Sequence, residues 1–345
     1  MRGRVAVVTL RPTSQGTRTT VNTPEYRAVR QGITVQSGAL TRRGAAAVIV
    51  VADAVGETMF DAVAKLQARG AYTLIGGANR FAPAGRGAGG GGGAGRGGRG
   101  GGGAPQPQNV PVLLAHQSAL NQLRQDGQGV EIHLRSESFD APSVNIIGVV
   151  RGTDPALRNE YVVFSSHQDH DGVRYAVAGD SIWNGADDNG STSVALLAIA
   201  RAWVKQPSKR SALFIYHGAE ERGLLGSLWH AAHPVVPLAS MAAVLNGDMI
   251  GRNHPDTASL LGIQPPHRNS TALVQMALDA NNRTGKFVLD SLWDRPSHPE
   301  GWYFRSDHVP YARLNVPALF YTTNLHDDYH TPRDNPDRKI GRAHV

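Results

Sequence analysis

The second half of the chain alternates between short apolar runs and segments with helical spacing, and this alternation constrains the fold more than any other feature. Five runs have the length and residue types of buried strands, at 145–150, 161–164, 212–216, 242–245 and 316–321. Helical spacing is clearest at 192–205, with Ser191 as the expected N-cap, and recurs at 223–232. The pattern predicts an α/β domain from residue 141, in which helices cover the faces of a parallel sheet.

Side chains that can bind a metal follow four of these runs, at the point where each strand would end. In an open α/β sheet the carboxyl ends of the strands lie along one edge, so residues that are distant in sequence should converge there. They are His167 and Asp169 after the second run, Glu220 and Glu221 after the third, Asp248 after the fourth, His330 after the fifth, and Asp187 and Asp188 just before the helix at 192.

So many carboxylates need a counter-charge, because they cannot all stay ionised side by side in a partly buried site. A divalent cation supplies that charge. The chain has no cysteine, so the ligands are nitrogen and oxygen atoms, which suit zinc and also manganese or cobalt. Two histidines and three or four carboxylates exceed the needs of one tetrahedral zinc, which favours two metals that share a carboxylate. Each of these motifs taken alone is more often structural. The evidence for a metal site is that they follow successive predicted strands.

The motifs in this half of the chain resemble those of a known family. In chain order they read NEYVVFSSHQDH, GDSIWNGADDNGS, FIYHGAEERGLLGS, LNGDMIG, RSDHVPY and DDYHTPRDN. Together they are similar to the bacterial dizinc aminopeptidases, which are related to the transferrin-receptor and glutamate-carboxypeptidase group. The resemblance covers residues 141–339. It implies the zinc-exopeptidase fold, a mixed and largely parallel sheet with helices on both faces.

The resemblance also implies a set of metal ligands and two Zn²⁺ per chain. One zinc is expected to bind His167, Asp188 and Asp248. The other is expected to bind Asp188, Glu221 and His330, so that Asp188 bridges both ions.

Three further residues match positions beside the metals in the family, and Arg305 is a further candidate for substrate binding. Glu220 is expected to be the general acid/base, which takes a proton from the water that becomes a metal-bridging hydroxide and returns it to the leaving amine. Asp169 is expected to hold the His167 ring in one tautomer. Tyr329 is expected to stabilise the oxyanion, and Arg305 to bind a carbonyl or carboxylate of the substrate. The implied activity is a zinc-dependent aminopeptidase acting on the N-termini of peptides or proteins.

Other functions stay open at the level of the sequence. A carboxypeptidase or dipeptidase on the same scaffold would need basic residues lining its pocket, and Arg305 alone gives thin support. A non-catalytic, receptor-like binding module would have lost metal ligands, whereas none of the five is replaced. A glutaminyl cyclase, which uses one zinc, should lack the full two-metal set.

Residues 1–140 are expected to form a separate, small α+β domain. Strands are predicted at 5–10, 45–52, 110–114 and 130–134, and helices at 58–67 and 117–125. The resemblance implies a protease-associated domain here, on the basis of these strands and the segment RRGAAAVIV.

A glycine-rich segment interrupts this domain. Glycine occupies 14 of the 19 positions at 85–103, arginine and alanine fill the others, and APQPQ follows. Such a segment buries too little surface to order itself, so 85–108 is predicted to be a disordered loop. The net charge of +7 and the three arginines of the loop would suit nucleic acid, but no aromatic residue accompanies them. No nucleic-acid partner is therefore expected.

The ends of the chain give expectations about its origin and location. No apolar run is long enough to span a membrane, and the start lacks the layout of a signal peptide. The last six residues, IGRAHV, resemble a translated sequencing adapter, so 340–345 is expected to be a non-native tail. The family normally carries a signal peptide and further peptidase structure, which implies a fragment truncated at both ends and an extracellular or periplasmic protein.

Overall fold

The structure, a computed structural model, describes residues 2–11, 24–68, 72–75, 110–124, 127, 129–133, 135, 137–298 and 300–338. The predicted loop at 85–108 and the predicted tail at 340–345 lie outside the described residues. The chain divides into two compact units, and the main part of the second begins at Asp140. Each unit is built on a sheet of its own.

The described part of the first unit contains a three-stranded parallel sheet and four α-helices. The strands are β1 (Val5–Thr9), β2 (Ala47–Val51) and β3 (Val112–Ala115), with β2 in the centre. The helices are α1 (Pro24–Arg42), α2 (Ala54–Thr58), α3 (Phe60–Ala68) and α4 (Leu120–Leu123). All five residues of β2 are buried, which explains its unbroken run of alanine, valine and isoleucine.

Most elements of this unit agree with the sequence, and three do not. The strand predicted at 130–134 is wrong for residues 130–133, which form no strand. The side chains of Glu131 and His133 are 83% and 84% exposed there, so a strand would have no layer to pack against. The 19-residue helix α1 and the short helix α2 were not predicted at all. The assignment of a protease-associated domain stays a prediction.

The described part of the second unit contains nine strands and four α-helices. The strands are β4 (Ile146–Val150), β5 (Tyr161–His167), β6 (Gly172–Val177), β7 (Asp180–Trp183), β8 (Ser211–His217), β9 (Met241–Gly247), β10 (Thr257–Leu261), β11 (Val288–Asp290) and β12 (Ala318–Thr322). The helices are α5 (Thr192–Lys205), α6 (Leu225–Ala232), α7 (Thr271–Arg283) and α8 (His308–Arg313). These elements occupy the described residues from 140 onward.

Seven of these strands form one mixed sheet in the order β11-β10-β12-β9-β5-β8-β4. The pairs β10–β12 and β4–β8 are antiparallel, and the other four neighbouring pairs are parallel. Strands β6 and β7 form a separate antiparallel ribbon. The predicted fold class, a mixed and largely parallel sheet with helices, is confirmed for this unit.

Alternate residues of β5 and β8 build two apolar layers, one on each face of the sheet. The layer against α6 and α8 includes Val163, Leu213, Ile215, Ala231 and Tyr311. The layer against α5 includes Phe164, Leu196, Ala212 and Phe214. Burying one such side chain contributes about 1.5–3 kcal/mol, so the packing on both faces fixes the directions of β5 and β8 and hence the positions of their carboxyl ends.

The turn in front of α5 differs from the expected helix cap. Ser191 was predicted to accept a hydrogen bond from the first turn of the helix, but its Oγ instead donates to the main-chain oxygen of Asp187, at 2.8 Å. The hydroxyl therefore closes the preceding turn, Ala186–Ser191, which carries Asp187 and Asp188.

Among the described residues, no helix combines the length and the apolar character that a membrane crossing requires.

Candidate metal centre

His167 is the last residue of β5, and its side chain is fully buried. Its Nδ1 lies 3.0 Å from the main-chain oxygen of Asp169. Because a carbonyl oxygen only accepts, Nδ1 donates a hydrogen to it, and Nε2 is the atom available to a metal. Nε2 lies 3.1 Å from Asp188 Oδ1 and 3.4 Å from Asp248 Oδ1.

Asp169 contacts His167 through a different group from the one expected. The main-chain oxygen makes the hydrogen bond to the ring, whereas the nearer carboxylate oxygen is 3.9 Å from Nδ1. The carboxylate instead accepts hydrogen bonds from the main-chain nitrogens of Glu220, at 2.9 Å, and Glu221, at 3.2 Å. The side chain of Asp169 therefore holds the backbone of the two glutamates, and only its backbone fixes the histidine tautomer.

Glu220 and Glu221 lie in the turn between β8 and α6, and their side chains face different histidines. Glu221 Oε1 is 3.0 Å from Nε2 of His330 and 2.9 Å from Nδ1 of His170. Glu220 Oε2 is 3.9 Å from Nε2 of His167. Two like charges can stand next to each other in the sequence here because successive side chains leave the turn in different directions.

Asp188 occupies the position between the two histidines. Its Oδ1 is 3.1 Å from Nε2 of His167, and its Oδ2 is 3.0 Å from Nε2 of His330. Gly185, which precedes this turn, has a φ of 66°, a conformation that glycine adopts without strain. One carboxylate thus offers one oxygen to each side, as a ligand shared by two metals must.

The turn that carries Asp188 is held by a carboxylate from the other end of the unit. Asp334 is fully buried, and both of its side-chain oxygens lie 2.9 Å from the main-chain nitrogen of Asp187. Its Oδ2 also accepts from the main-chain nitrogen of Asp188, at 3.1 Å. Asp187 in turn accepts from the main-chain nitrogen of Gly251, at 2.7 Å. These contacts tie the segments on both sides of the site to one turn.

The potential ligand atoms form two groups, and all atoms of a group lie within 4.8 Å of one another. One group contains His167, Glu220 and Asp248. The other contains His170, Asp188, Glu221 and His330. The structure therefore brings all five predicted ligands together at the carboxyl edge of the sheet, with Glu220 and His170 beside them.

Burial and neighbouring charges move the pKa values of the two glutamates in opposite directions. Burial raises the pKa of Glu220 well above its usual value, and the nearby carboxylates add to this effect. Burial alone would also raise the pKa of Glu221, but His330 holds it well below the usual range. For His330, burial opposes the charge of Glu221, and the carboxylates raise its pKa to about 10.

A metal fits this donor set because, among the described residues, several buried polar atoms of these side chains have no hydrogen-bond partner. They include Nε2 of His167, Oδ1 of Asp248, Oε1 of Glu221 and both ring nitrogens of His170. Buried polar groups in proteins are nearly always paired, so a cluster of unpaired ones needs an explanation. Imidazole nitrogens and carboxylate oxygens without sulfur are the ligands expected for zinc.

A profile of Peptidase family M28 matches residues 145–343, which is more than half of the chain. This stretch contains every residue of both donor groups. The chain belongs to peptidase family M28. The family expected from the sequence motifs is thereby confirmed.

Two curated proteins and one solved structure are similar to parts of this chain. Aminopeptidase YwaD of Bacillus subtilis strain 168 is 28% identical over 224 residues, which cover 61% of this chain and 45% of that protein. Leucine aminopeptidase 2 of Trichophyton equinum is 27% identical over 178 residues, covering 50% and 32%. The solved structure of an aminopeptidase from Aneurinibacillus sp. strain AM-1 has a similar fold, with a TM-score of 0.51, 19% identity and coverage of 98% and 65%. The chain spans less than half the length of the two curated relatives.

Tyr329 and Arg305, the remaining predicted site residues, contact each other beside the M28 centre. Nη2 of Arg305 donates to the hydroxyl of Tyr329 at 2.9 Å, and Nη1 pairs with Glu300 at 3.0 Å. The guanidinium also lies 4.5 Å from the ring centre of Trp302. The Tyr329 ring stacks on that of His330, with centroids 3.9 Å apart. Arg305 is therefore already engaged by neighbours within the chain.

Sequence reasoning missed the part that Asp334, His170 and the Asp169 carboxylate have in this centre. Asp334 follows His330 by four residues and reads as an ordinary turn aspartate. Its contacts to Asp187 and Asp188 span 147 and 146 residues, so no local pattern could reveal them. His170 stands three residues after His167 and was expected to lie beside the site. The HxDH spacing was the signal available for it.

Proposed function

We propose that the chain is a zinc-dependent aminopeptidase that removes N-terminal residues from peptides and proteins. The observation that carries the proposal is the position of Asp188, whose two oxygens lie 3.1 Å and 3.0 Å from histidines of different donor groups. Two Zn²⁺ would then be held, one by His167, Asp188 and Asp248, and the other by Asp188, Glu221 and His330.

Glu220 acts as the general base and acid in this proposal. Bound zinc would lower the pKa of a water molecule from about 15.7 to about 7 and polarise the peptide carbonyl. Glu220 takes the proton that the water loses and returns it to the leaving amine. The hydrogen bond from its main-chain nitrogen to Asp169 and the low exposure of its side chain support this role, because they hold the residue in place in a water-poor site.

The hydroxyl of Tyr329 is proposed to donate a hydrogen bond to the oxygen that becomes negative during attack. Arg305 supports it, since a guanidinium that donates to the hydroxyl oxygen leaves the hydroxyl hydrogen free to be donated. This contact gives Arg305 a supporting part, which differs from direct binding of a substrate carbonyl or carboxylate.

An aminopeptidase is favoured over a carboxypeptidase by the pairing of Arg305. A carboxypeptidase needs a cation for the terminal carboxylate, and the guanidinium of Arg305 is already matched by Glu300 at 3.0 Å. The names of the curated relatives, an aminopeptidase and a leucine aminopeptidase, point in the same direction. An extracellular or periplasmic location remains part of the proposal and is testable by fractionation of the source cells.

The test compares the chain with Glu220→Gln, using zinc analysis and a panel of aminoacyl p-nitroanilides. We expect about two zinc ions per chain in both proteins, because Glu220 is not a proposed ligand. We expect turnover to fall by about 10²–10⁴-fold in the variant, the usual contribution of general acid–base catalysis. Glu160→Gln is the matched control, since Glu160 pairs with Arg210 at 2.6 Å on the surface.

The outcomes separate the parts of the proposal. Turnover of substrates with a free N-terminus, and not of N-acetylated ones, supports an aminopeptidase. Loss of zinc from Glu220→Gln would contradict the role of Glu220, because the side chain would then be a ligand. Absence of zinc from the unmodified chain would overturn the proposal as a whole.

A further inference from the structure

His170 lies in the same donor group as three of the expected zinc ligands, although the resemblance assigns it no ligand role. Its side chain is only 6% exposed. The ring meets that of His330 edge to face, with centroids 5.2 Å apart. It also packs so closely on Gly185 that an added Cβ there would overlap the ring. The imidazole is thus fixed next to the turn that carries Asp188.

The contact between His170 and Glu221 is short but poorly aligned for a hydrogen bond. Nδ1 lies 2.9 Å from Oε1 of Glu221, yet within the part of the chain that the structure describes neither ring nitrogen has a partner with hydrogen-bonding angles. Oε1 of Glu221 is likewise unpaired, although Nε2 of His330 is 3.0 Å away. Short contacts without hydrogen-bonding angles arise when donor atoms point at a common centre instead of at each other. Nε2 of His167 and Oδ1 of Asp248 show the same behaviour, at 3.4 Å.

The spacings in this group are close to those of atoms that bind one ion. Two atoms that each lie about 2.0–2.1 Å from a tetrahedral zinc are about 3.3 Å apart. The contacts from Glu221 Oε1 to the nitrogens of His170 and His330 are 2.9 Å and 3.0 Å, and Asp188 Oδ2 is 3.0 Å from His330 Nε2. All the potential ligand atoms of this group lie within 4.8 Å of one another, so one ion placed among them would face all four side chains.

We propose that His170 binds zinc directly, as a fourth protein ligand of the ion held by Asp188, Glu221 and His330. This inference rests on the proposed function, because it concerns one of the same two ions. It makes the two metal positions unequal. The ion beside His170 has four protein ligands, whereas the ion beside His167 and Asp248 has three. A position with four protein ligands holds its metal as structural zinc sites do, and the other keeps a place for a non-protein ligand.

X-ray absorption at the zinc edge on the chain loaded with two equivalents of Zn²⁺ tests the assignment directly. Scattering from imidazole rings counts the histidine ligands, and no variant is required. We expect three imidazoles for two zinc ions. Two imidazoles for two zinc ions would overturn the assignment of His170 and leave the proposed function intact. Fewer than two zinc ions per chain would instead count against the proposed function itself.

Two substitutions of His170 distinguish a ligand from a hydrogen-bond donor. In His170→Asn the amide nitrogen takes the position of Nδ1 and keeps a donor toward Glu221, but an amide nitrogen does not bind zinc. In His170→Ala both functions are lost. We expect both variants to bind one of the two zinc ions about 100-fold or more weakly in a chelator competition titration, beyond the effect usual for an outer hydrogen-bond partner.

The control for these variants is His233→Asn, an exposed histidine on the C-terminal side of α6. It should bind two zinc ions as the unmodified chain does. Zinc binding by His170→Asn that matches this control, together with weakened binding by His170→Ala, would overturn the proposal, because a hydrogen bond would then explain the role of His170. Circular dichroism of each variant identifies any that fails to fold, and the absorption measurement on the unmodified chain then decides.

Discussion

Removal of the Asp334 carboxylate should destabilise the second unit strongly, because this buried side chain holds the turn in front of α5. It accepts hydrogen bonds from the main-chain nitrogens of Asp187 and Asp188, at 2.9 Å and 3.1 Å. Asp334→Ala leaves both N–H groups buried without an acceptor. Each unsatisfied buried group costs about 1–3 kcal/mol, so the free energy of unfolding should fall by about 2–6 kcal/mol. Asp334→Asn keeps one acceptor oxygen, so its free energy of unfolding should fall by about half as much as that of Asp334→Ala.

Urea unfolding followed by tryptophan fluorescence measures this loss of stability in the second unit of the chain. All five tryptophans of the chain lie after residue 140, so their signal reports the second unit. The urea concentration at the midpoint should fall, while the slope of the free energy of unfolding against urea concentration should stay constant. A constant slope identifies a change in stability. Asp327→Asn, at an exposed position of the same segment, is the control. If the free energy of unfolding of Asp334→Ala lies within about 0.5 kcal/mol of the value for that control, the turn does not depend on Asp334.

Three further changes have defined outcomes. Asp169→Asn removes one acceptor for the main-chain nitrogens of Glu220 and Glu221, so turnover and zinc affinity should both fall at least about tenfold in kinetic and chelator-competition assays; unchanged values would leave the carboxylate without a role. Burial lowers the pKa of His308 to about 3, so the unfolded chain binds a proton below pH 6.5 that the folded chain does not. Stability from this residue is therefore complete above pH 6.5 and falls by about 1.4 kcal/mol per pH unit down to pH 3, and His308→Gln should remove that slope from urea unfolding measured as a function of pH. Tyr329→Phe should lower kcat about 100-fold with little change in KM, and a kcat within twofold would exclude the hydroxyl from transition-state stabilisation.

The candidate ligands of the centre could be found from the sequence because strand ends are marked locally, and the resemblance to the family then selected five of them. His167, Glu221 and Asp248 each follow an apolar run, and a largely parallel sheet brings such ends to one edge. The helix at 192–205 was predicted with its observed bounds, since its apolar spacing is strong.

The supporting contacts could not be predicted, because they depend on which atom of a residue meets a partner far away in sequence. Asp169 shows this directly: the expected contact to His167 exists but uses the main-chain oxygen, and the carboxylate bonds residues about fifty positions later. Ser191 likewise closes a turn instead of capping α5. In both cases the residue type was correct for a hydrogen bond, and only the tertiary structure selected the partner.

The elements that the sequence analysis missed lack a strong local pattern. Strand β11 has three residues, and the turn between β6 and β7 uses Ala178 and Gly179, at φ values of 51° and 86°, instead of the asparagine–glycine pair that marks such turns. Helix α7 carries polar residues over much of its surface, and Val274 is its one buried residue. Weak apolar spacing hides such elements from periodicity.

The central claim is that two cations lie between five side chains from distant parts of the chain. Anomalous diffraction at the zinc edge from crystals of the zinc-loaded chain tests it most directly. The account predicts two peaks about 3.5–4 Å apart, one beside His167 and Asp248 and one beside Glu221 and His330, with Asp188 between them. A single peak, or zinc bound away from these residues, would contradict it.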